Sequence, residues 1–376
     1  SELACQSFTN LTEKFSLSSK KGYRADELTN TINSYIGEIV SHILDAGGDI
    51  LNYAGNNRRC HLGSMDQLSE VISLVVKCSL NIQDQCGVQE MEVLIQAERH
   101  VCAITPGPVF TMSADLGSCH SMQVRYIKRV PSFSVEKYQD SIGTSVEHEK
   151  VTRYNCVRRA SLLMPNTELE KTLWKYIMKT VLQKIDDDQP LECLSEMRQA
   201  TIVFVNMQFK GGERDQEQCM TIHQAAIGIG QQIVKHHGRV NKVFMFDKGC
   251  TFLCLFVLPG DKREDESAHP LQAAYGVQCC PTGLSLGVTT GPMFCGVVGH
   301  PVRHEYTVIG RKVNLAARLM MHYPGVVSWD SENCYYSKLP VFYFNELPMK
   351  ALKGVKNPGV LYQFMANKHQ MYDHLM

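Results

Sequence analysis

Asn314 and Arg318 are the pair in this sequence whose residue types and spacing point most directly to chemistry. They follow Gly310, which ends a short stretch from Glu305 to Ile309 that is typical of a β-strand. A helix that begins after Gly310 places both side chains on one face. A carboxamide can hold a sugar hydroxyl, and a planar guanidinium can bind a phosphate through two parallel hydrogen bonds. Taken alone, the pair also fits the solvated face of an amphipathic helix. The surrounding sequence must therefore distinguish a binding site from an ordinary polar helix face.

The elements that would position this pair can be predicted from hydrophobic periodicity. On the helix after Gly310, we expect a buried side that contains Val313, Ala316, Ala317 and Met320. Earlier in this half, the patterns predict a strand at 200–206, a helix at 217–237, a hairpin of strands at 242–246 and 251–258, and a strand at 283–289. Strands at 342–347 and 360–364 complete the predicted sheet.

The first half of the chain gives fewer clear patterns. Residues 26–44 predict a strongly periodic helix, whose buried side consists of Leu28, Ile32, Ile36, Ile39, Val40 and Ile43. A hairpin should follow Gly47-Gly48, and a second helix should span about residues 64–83. Strands at 92–104 and 123–129 are weaker predictions, because both stretches carry charges where a buried sheet would have aliphatic residues.

Length and composition narrow the range of possible functions. The 376 residues suffice for two domains, and 38 basic against 38 acidic residues argue against a nucleic-acid-binding surface. The 15 cysteines form no C-x-x-C pair and are odd in number, which favours a reduced, cytoplasmic setting. The longest apolar run, 252–258, is too short to span a membrane. We therefore expect neither nucleic acid nor a membrane as a partner.

The stretch from Gly299 to Arg318 resembles the catalytic core of class III nucleotidyl cyclases, and most of all the bicarbonate-responsive soluble adenylyl cyclases with tandem catalytic domains. This resemblance implies conversion of ATP to cAMP and pyrophosphate. It also implies an α+β fold of two ferredoxin-like (βαββαβ) domains, arranged as a pseudo-symmetric head-to-tail pair with the site between them. We expect a first domain at 1–130, a connector at 131–196 with a helix at 167–185, and a second domain at 197–376.

The two halves of the chain have little sequence similarity, but the predicted order of their secondary-structure elements is the same. When Gly47 is aligned with Gly238, the order of helix, hairpin, helix and strand is the same in both halves.

In the connector helix, capped by Asn166 or Thr167, we expect an apolar stripe of Leu169, Leu173, Ile177 and Leu182. A strand that the family would place just before Ser1 is absent from the sequence, so we expect a trimmed or alternatively started chain.

The resemblance assigns roles to five residues of the second half. Asn314 would orient the ribose, and Arg318 would stabilise the reacting phosphorus. Lys242 and Thr307 would recognise adenine, and Lys353 would bind the terminal phosphates.

The first half departs from the family at its metal positions. The resemblance implies Mg²⁺ or Mn²⁺ held by two aspartates, but Ala4 and Asn56 stand at those positions, so the sequence offers no metal ligand there. At the family's bicarbonate site, Arg125 matches but Asn52 replaces a lysine. Two hypotheses stay open: a cyclase with impaired turnover, and an inactive ATP-binding protein or regulatory partner that pairs with an intact cyclase domain.

Overall fold

The computed structural model describes residues 2–5, 11–12, 25–54, 57–62, 77–78, 81–82, 84–86, 89–95, 98–104, 106–114, 122–124, 166–174, 177, 179–187, 190, 194–209, 215–246, 249–256, 269–279, 284–301, 303–352, 355 and 357–365. The chain divides into two compact units. The first unit comprises Ser1–Ile177, Lys184–Glu196 and Cys295–Thr307, and the second comprises Met178–Gln183, Met197–Phe294 and Val308–Met376. The domain boundaries at 130 and 196 stay predictions.

The first unit is built on a five-stranded sheet. Its elements are β1 (Glu2–Cys5), α1 (Ala25–Asp45), β2 (Gly48–Ala54), β3 (Asn57–Leu62), β4 (Gln89–Ile95), β5 (Glu98–Ile104), β6 (Pro106–Ala114) and β7 (Met122–Val124). The sheet order is β2-β3-β1-β6-β7, and β4 and β5 form a separate hairpin. The order of β2, β3, β1 and β6 is that of a ferredoxin-like sheet, in which the first and third strands are central.

The helix predicted at 26–44 is confirmed as α1, because all six residues of its predicted apolar side are at most 2% exposed. The sequence patterns did not predict β1, which pairs with both β3 and β6. Its four residues are too few to show the period-two pattern on which a strand prediction rests. Of the helix predicted at 64–83, residues 77–78 and 81–82 are helical, and residues 64–76 lie outside the described part.

The connector contains two helices instead of one: α2 (Thr167–Trp174), whose first turn is capped by the Asn166 side chain, and α3 (Lys179–Asp186). The predicted apolar stripe is not a buried one. Leu169, Leu173 and Ile177 are about two-fifths exposed, and Leu182 is half-buried. Periodicity therefore identified helical residues here but not a packed face.

The second unit repeats the ferredoxin-like plan and extends it. Its elements are β8 (Glu196–Met207), α4 (Asp215–Lys235), β9 (Arg239–Phe246), β10 (Gly249–Phe256), α5 (His269–Gln278), β11 (Ser285–His300), β12 (Arg303–Ile309), α6 (Arg311–His322), β13 (Val327–Asp330), α7 (Ser331–Ser337), β14 (Phe344–Glu346) and β15 (Leu361–Phe364). The sheet order is β14-β15-β13-β11-β8-β10-β9, with β12 paired to β11. The segment 295–307, where β11 runs into β12, is counted with the first unit.

The predicted α+β fold of two ferredoxin-like domains is confirmed. In the second unit the order β11-β8-β10-β9 matches the order β6-β1-β3-β2 of the first. The repeat is also visible in the chain, because β2 begins directly after Gly47 and β9 directly after Gly238. The head-to-tail arrangement stays a prediction. Within the described residues, no helix combines the length and apolar character that a membrane-spanning segment requires.

Candidate functional site

The sheet of the second unit has two faces of different character. One face packs against α4 and α5 in a large hydrophobic core, to which β8 contributes Val203, Val205 and Met207 and β10 contributes Cys250, Phe252, Cys254 and Phe256. Side chains alternate between the two faces along a strand. The residues between these core positions therefore lie on the opposite face, which we call the polar face because buried polar groups stand on it.

Lys242 lies on the polar face. It pairs with Leu253 on β10, and Leu253 pairs with Phe204 on β8. The next row contains Phe244, Thr251 and Asn206. Lys242 is 6% exposed, which is unusual for a lysine on a strand at the edge of a sheet. The register between β9 and β10 shifts next to Lys242, and a bulge of this kind changes the direction of neighbouring side chains.

Asn206 adds a buried amide to the polar face. The Thr251 hydroxyl donates a hydrogen bond to Asn206 Oδ1 at 3.3 Å. Within the described residues, the Nδ2 group of Asn206 has no hydrogen-bond partner although the residue is 1% exposed. An unpaired buried donor costs free energy, so this amide is available to a ligand or a water molecule.

Helix α6 packs on the same polar face. Leu286 and Val288 of β11 belong to the hydrophobic core. Positions 287, 289 and 291, which are Gly, Thr and Gly, therefore belong to the opposite face of the sheet. A Cβ atom at Gly287 would lie 2.1 Å from the carbonyl oxygen of Ala316, so the helix backbone rests directly on the strand. The Thr289 hydroxyl donates to the carbonyl oxygen of Lys312 at 2.7 Å, which joins β11 to the first turn of α6.

The predicted pair is found on α6 with the expected spacing. Asn314 is half-buried and Arg318 is exposed, four residues apart on the helix. The prediction for the buried side was partly wrong: Val313, Ala316 and Met320 are buried, but Ala317 is only half-buried, and Leu315 and Leu319 are buried instead. Because α6 contacts a second apolar cluster through Leu315 and Leu319, its apolar surface is wider than one stripe.

That second cluster brings the segment of Lys353 to the helix. Leu352 packs with Leu315 and Leu319, and Val355 packs against the same cluster. Lys353 itself lies outside the described residues, as do Arg125 and Asn56. Thr307 is 3% exposed on β12, in the segment counted with the first unit, so its proximity to Lys242 stays a prediction.

An ion-pair network holds the first turn of α6. Lys312 Nζ lies 2.7 Å from Asp330 Oδ2 and 2.5 Å from Glu332 Oε2. The Asp330 side chain is fully buried, at the end of β13, and it caps α7 by accepting from the backbone N–H of Asn333 at 3.1 Å. This network fixes the turn of α6 that immediately precedes Asn314.

The network continues through uncharged groups. Asn333 Nδ2 donates to Asp330 Oδ1 at 2.7 Å, and the Thr290 hydroxyl donates to Asn333 Oδ1. Because the Thr290 proton is used in that bond, the Thr201 hydroxyl donates to Thr290 at 2.7 Å. The chain of bonds thus runs from β8 through β11 and α7 to α6.

The two carboxylates of the network differ in acidity. Burial raises the pKa of Asp330 to about 6, against the opposing effect of the Lys312 ammonium group. Burial also disfavours the charged form of Glu332, but the hydrogen bond and charge of Lys312 outweigh it and keep the pKa of Glu332 below its usual value. Lys312 therefore stabilises Glu332 as an anion, while Asp330 takes up a proton at a higher pH than an ordinary aspartate does.

Sequence reasoning missed this network and the amide of Asn206 on the polar face. The signals were weak: Asp330 is a lone acid after three apolar or small residues, and Asn206 is a lone amide at the end of an apolar strand. Neither pattern distinguishes a buried polar group from a residue that begins a loop. The missed partners are distant in sequence, and only the fold brings them together.

Ala4 and Asn56 stand at the two positions that the resemblance assigns to metal ligands. Ala4 lies on β1 in register with Asn57 of β3, so the first metal position of the resembling family is occupied by a methyl group. The second position, Asn56, offers a neutral carboxamide. Hard divalent cations select carboxylate oxygens, and this pair of residues does not fit them.

Comparison with known proteins gives an independent view of the chain. No protein-family model matches it. It is 36% identical over 412 residues to adenylate cyclase type 10 of Oryctolagus cuniculus and 36% identical over 413 residues to that of Homo sapiens. Each alignment covers 95% of this chain and 26% of the relative, so the chain spans about a quarter of the length of these relatives.

Among solved structures, the adenylyl cyclase CyaB from P. aeruginosa is similar at 17% identity and a TM-score of 0.40, over 46% of this chain and 97% of that one. The sequence relationship is far closer and extends over nearly all of this chain. The chain is therefore homologous to adenylate cyclase type 10 and belongs to the class III nucleotidyl cyclase family.

Proposed function

We propose that this chain is an adenylyl cyclase-like protein that binds ATP through its second unit and converts it to cAMP and pyrophosphate poorly. One observation carries the nucleotide-binding part. The sheet face that holds the buried Lys242 is also the face on which α6 packs, and α6 carries Asn314 and Arg318. The cation that we assign to the base and the helix face that we assign to the sugar and phosphate thus lie on one side of one sheet.

Each of these residues has a role suited to its chemistry. Lys242, with Thr307, would recognise the hydrogen-bonding edge of adenine, and burial makes such recognition selective because an unmatched base leaves polar groups unpaired. Asn314 would hold the ribose hydroxyls, and Arg318 would spread the charge that develops on the α-phosphate. Lys353 would neutralise the terminal phosphates, and its neighbour Leu352 already packs against α6.

The impaired turnover follows from Ala4 and Asn56. In the resembling family, divalent ions polarise the phosphate and activate the attacking hydroxyl, and both depend on carboxylates that this chain lacks at these positions. Loss of one charge-stabilising group typically lowers kcat by about 10²–10³-fold. With both metal positions altered, we expect turnover near the uncatalysed background.

The same substitutions favour a second candidate function, that of an inactive partner which pairs with an intact cyclase domain. Binding of bicarbonate has less support. Arg125 matches the arginine of the family's bicarbonate site, but Asn52 on β2 stands where that site has a lysine. We also propose a cytoplasmic location, because the described cysteines are free thiols, as a reducing compartment would keep them.

Calorimetric titration with α,β-methylene-ATP, whose P–C bond cannot be cleaved, tests nucleotide binding apart from turnover. We expect the Asn314→Ala, Arg318→Ala double variant to bind about 10–100-fold more weakly than the wild type, because hydrogen bonds to a charged phosphate are lost. Lys235→Ala is the matched control, since Lys235 is exposed on α4, on the opposite side of the sheet. Equal affinity of all three proteins would remove α6 from the binding site.

A further inference from the structure

Glu38, His42 and Cys86 bring three different metal-ligating groups together in the first unit. One ligand atom from each, a carboxylate oxygen, a ring nitrogen and the sulfur, lies within 4.8 Å of the other two. Glu38 and His42 are four residues apart on α1, so they share one face of the helix. Cys86 follows the helical residues at 84–85, 44 positions further along the chain than His42. The fold, not the local sequence, assembles this group.

We propose that Glu38, His42 and Cys86 form a zinc site with three protein ligands and one coordination position open to solvent. Thiolate, imidazole and carboxylate are the ligand types that Zn²⁺ accepts together, whereas Mg²⁺ and Ca²⁺ select oxygen alone. In tetrahedral coordination these ligand atoms stand roughly 3.3–3.5 Å apart. Small side-chain rotations would close the present spacing to that value.

The exposure of the three residues fits such a site. Cys86 is 2% exposed, His42 is half-buried and Glu38 is exposed, so the group opens toward solvent on the side of Glu38. A metal ion held by three ligands can take water at the remaining position from that side. Among the described residues, no hydrogen bond or ion pair joins the three groups to one another, so they are not already engaged with each other.

Surrounding contacts hold two of the ligands in place. The Tyr35 hydroxyl donates to the Cys86 carbonyl oxygen at 3.1 Å, and the Cys86 backbone N–H donates to the Ile82 carbonyl oxygen at 2.8 Å. The Asn81 side chain lies 3.4 Å from His42 Nδ1. As placed, the Nδ2 group of Asn81 faces Nδ1 and donates to it. A flip of this amide would let Nδ1 donate to the Asn81 oxygen and would leave Nε2 of His42 for the metal, as outer-shell partners do in zinc sites.

The Glu38 carboxylate places negative charge beside Cys86. Burial, followed by that charge, raises the pKa of the Cys86 thiol to about 11, which opposes metal binding because the thiol must release its proton to ligate the ion. A bound divalent ion would displace that proton to solvent and balance the thiolate and the Glu38 carboxylate. The proposal does not depend on nucleotide binding, and it shares no residue with the positions Ala4 and Asn56.

Cobalt titration of the full chain, after removal of metals with a chelator, tests the proposal directly, because a Co²⁺–thiolate bond gives a near-ultraviolet charge-transfer band. We expect the wild type to show this band at one added equivalent, and Zn²⁺ but not millimolar Mg²⁺ to abolish it. Cys86→Ser should remove the band. Glu38→Gln, at an exposed position, should retain the fold by circular dichroism but bind at least about tenfold more weakly.

The controls use the same chemistry elsewhere in the chain. Cys219→Ser and Cys279→Ser alter exposed thiols and should leave the band unchanged, and Glu27→Gln alters another exposed carboxylate of α1. The proposal is overturned if the wild type takes up no more metal than Cys86→Ser. It is equally overturned if Glu38→Gln and Glu27→Gln bind cobalt alike.

Discussion

Lys242 stands on the edge strand of the second unit's sheet and is nevertheless buried. Charged residues on edge strands usually face solvent, where they prevent pairing with other chains. The neighbours Val243 and Met245, 46% and 40% exposed, occupy the solvent side of β9 instead. An inward-pointing lysine can itself discourage edge pairing, and its position on the polar face also suits it to bind a polar ligand.

Replacement of Lys242 by alanine should weaken the binding of ATP more than the binding of GTP. The ammonium group would contact an edge on which adenine and guanine reverse their donors and acceptors, so its loss removes discrimination as well as affinity. We expect a loss of about tenfold for ATP and a smaller one for GTP, measured by calorimetric titration with α,β-methylene analogues of both. Equal losses would assign Lys242 to another contact, such as the phosphates.

The acidity of Asp330 leads to a pH-dependent stability. Its pKa in the folded chain, about 6, lies above the ordinary value of 3.8, so the folded state retains a proton that the unfolded state has released. The corresponding stabilisation is complete at low pH and is lost as the pH rises through 6. We expect wild-type stability to fall by about 1 kcal/mol between pH 5 and 7 relative to Asp330→Asn, measured by urea unfolding.

Glu332→Gln is the matched control for this measurement. Because Lys312 keeps the pKa of Glu332 below its usual value, the stabilisation from Glu332 is present above that range and is lost only in more acidic solution. Its variant should therefore keep a fall in stability with rising pH, moved to somewhat lower pH because the Glu332 charge helps to raise the pKa of Asp330. An identical slope for Asp330→Asn and the wild type would show that Asp330 does not titrate in this window.

At the level of elements, the position of α6 depends on the absence of a side chain at Gly287. An added Cβ would lie 2.1 Å from the Ala316 carbonyl oxygen and 2.7 Å from the Met320 backbone nitrogen, neither of which can move without the helix. Asn314 and Arg318 would move with it. The strand therefore determines the location of the two side chains as strictly as the helix determines their spacing.

Gly287→Ala should destabilise the protein by about 1–3 kcal/mol and weaken binding of α,β-methylene-ATP at the same time. Gly230→Ala is a matched control, because Gly230 lies inside α4 and an added Cβ there meets no atom within 4 Å. That change should be neutral or stabilise the chain by up to about 1 kcal/mol. If both variants unfold and bind alike, α6 does not rest on β11 in the way described.

The elements that the sequence predicted well are those with one buried side and long regular patterns. Helix α1 is an example, because its buried apolar residues recur at helical spacing, and strands β8 and β10 were recognisable as runs of mostly apolar, buried residues. The pair of Asn314 and Arg318 could be recognised because helical spacing is local. The Lys312–Asp330 network and the Glu38–His42–Cys86 group could not, because their members are joined only by tertiary packing.

At the level of the whole molecule, the two halves share one fold but differ in chemistry. Both units contain the ferredoxin-like strand order. The second contains a buried lysine and the Asn314–Arg318 pair, whereas the first has Ala4 and Asn56 where the resemblance implies metal ligands. Fold stability depends on buried apolar positions and can persist when polar ligands are exchanged. Our proposal of nucleotide binding without efficient turnover rests on this difference.

Restoring the carboxylates should therefore raise activity. Ala4→Asp together with Asn56→Asp would return two anionic ligands for Mg²⁺. We expect the double variant to form cAMP at least about 10²-fold faster than the wild type. The triple variant that adds Arg318→Ala should lose this gain, which separates true turnover from a contaminating cyclase.

The most direct test is the rate of cAMP formation by the purified wild-type chain with ATP and Mg²⁺, beside the Asn314→Ala, Arg318→Ala variant. The loss of both metal carboxylates predicts that the two proteins give the same background rate, while only the wild type binds α,β-methylene-ATP tightly. Rapid cAMP formation by the wild type that disappears in the variant would contradict this account.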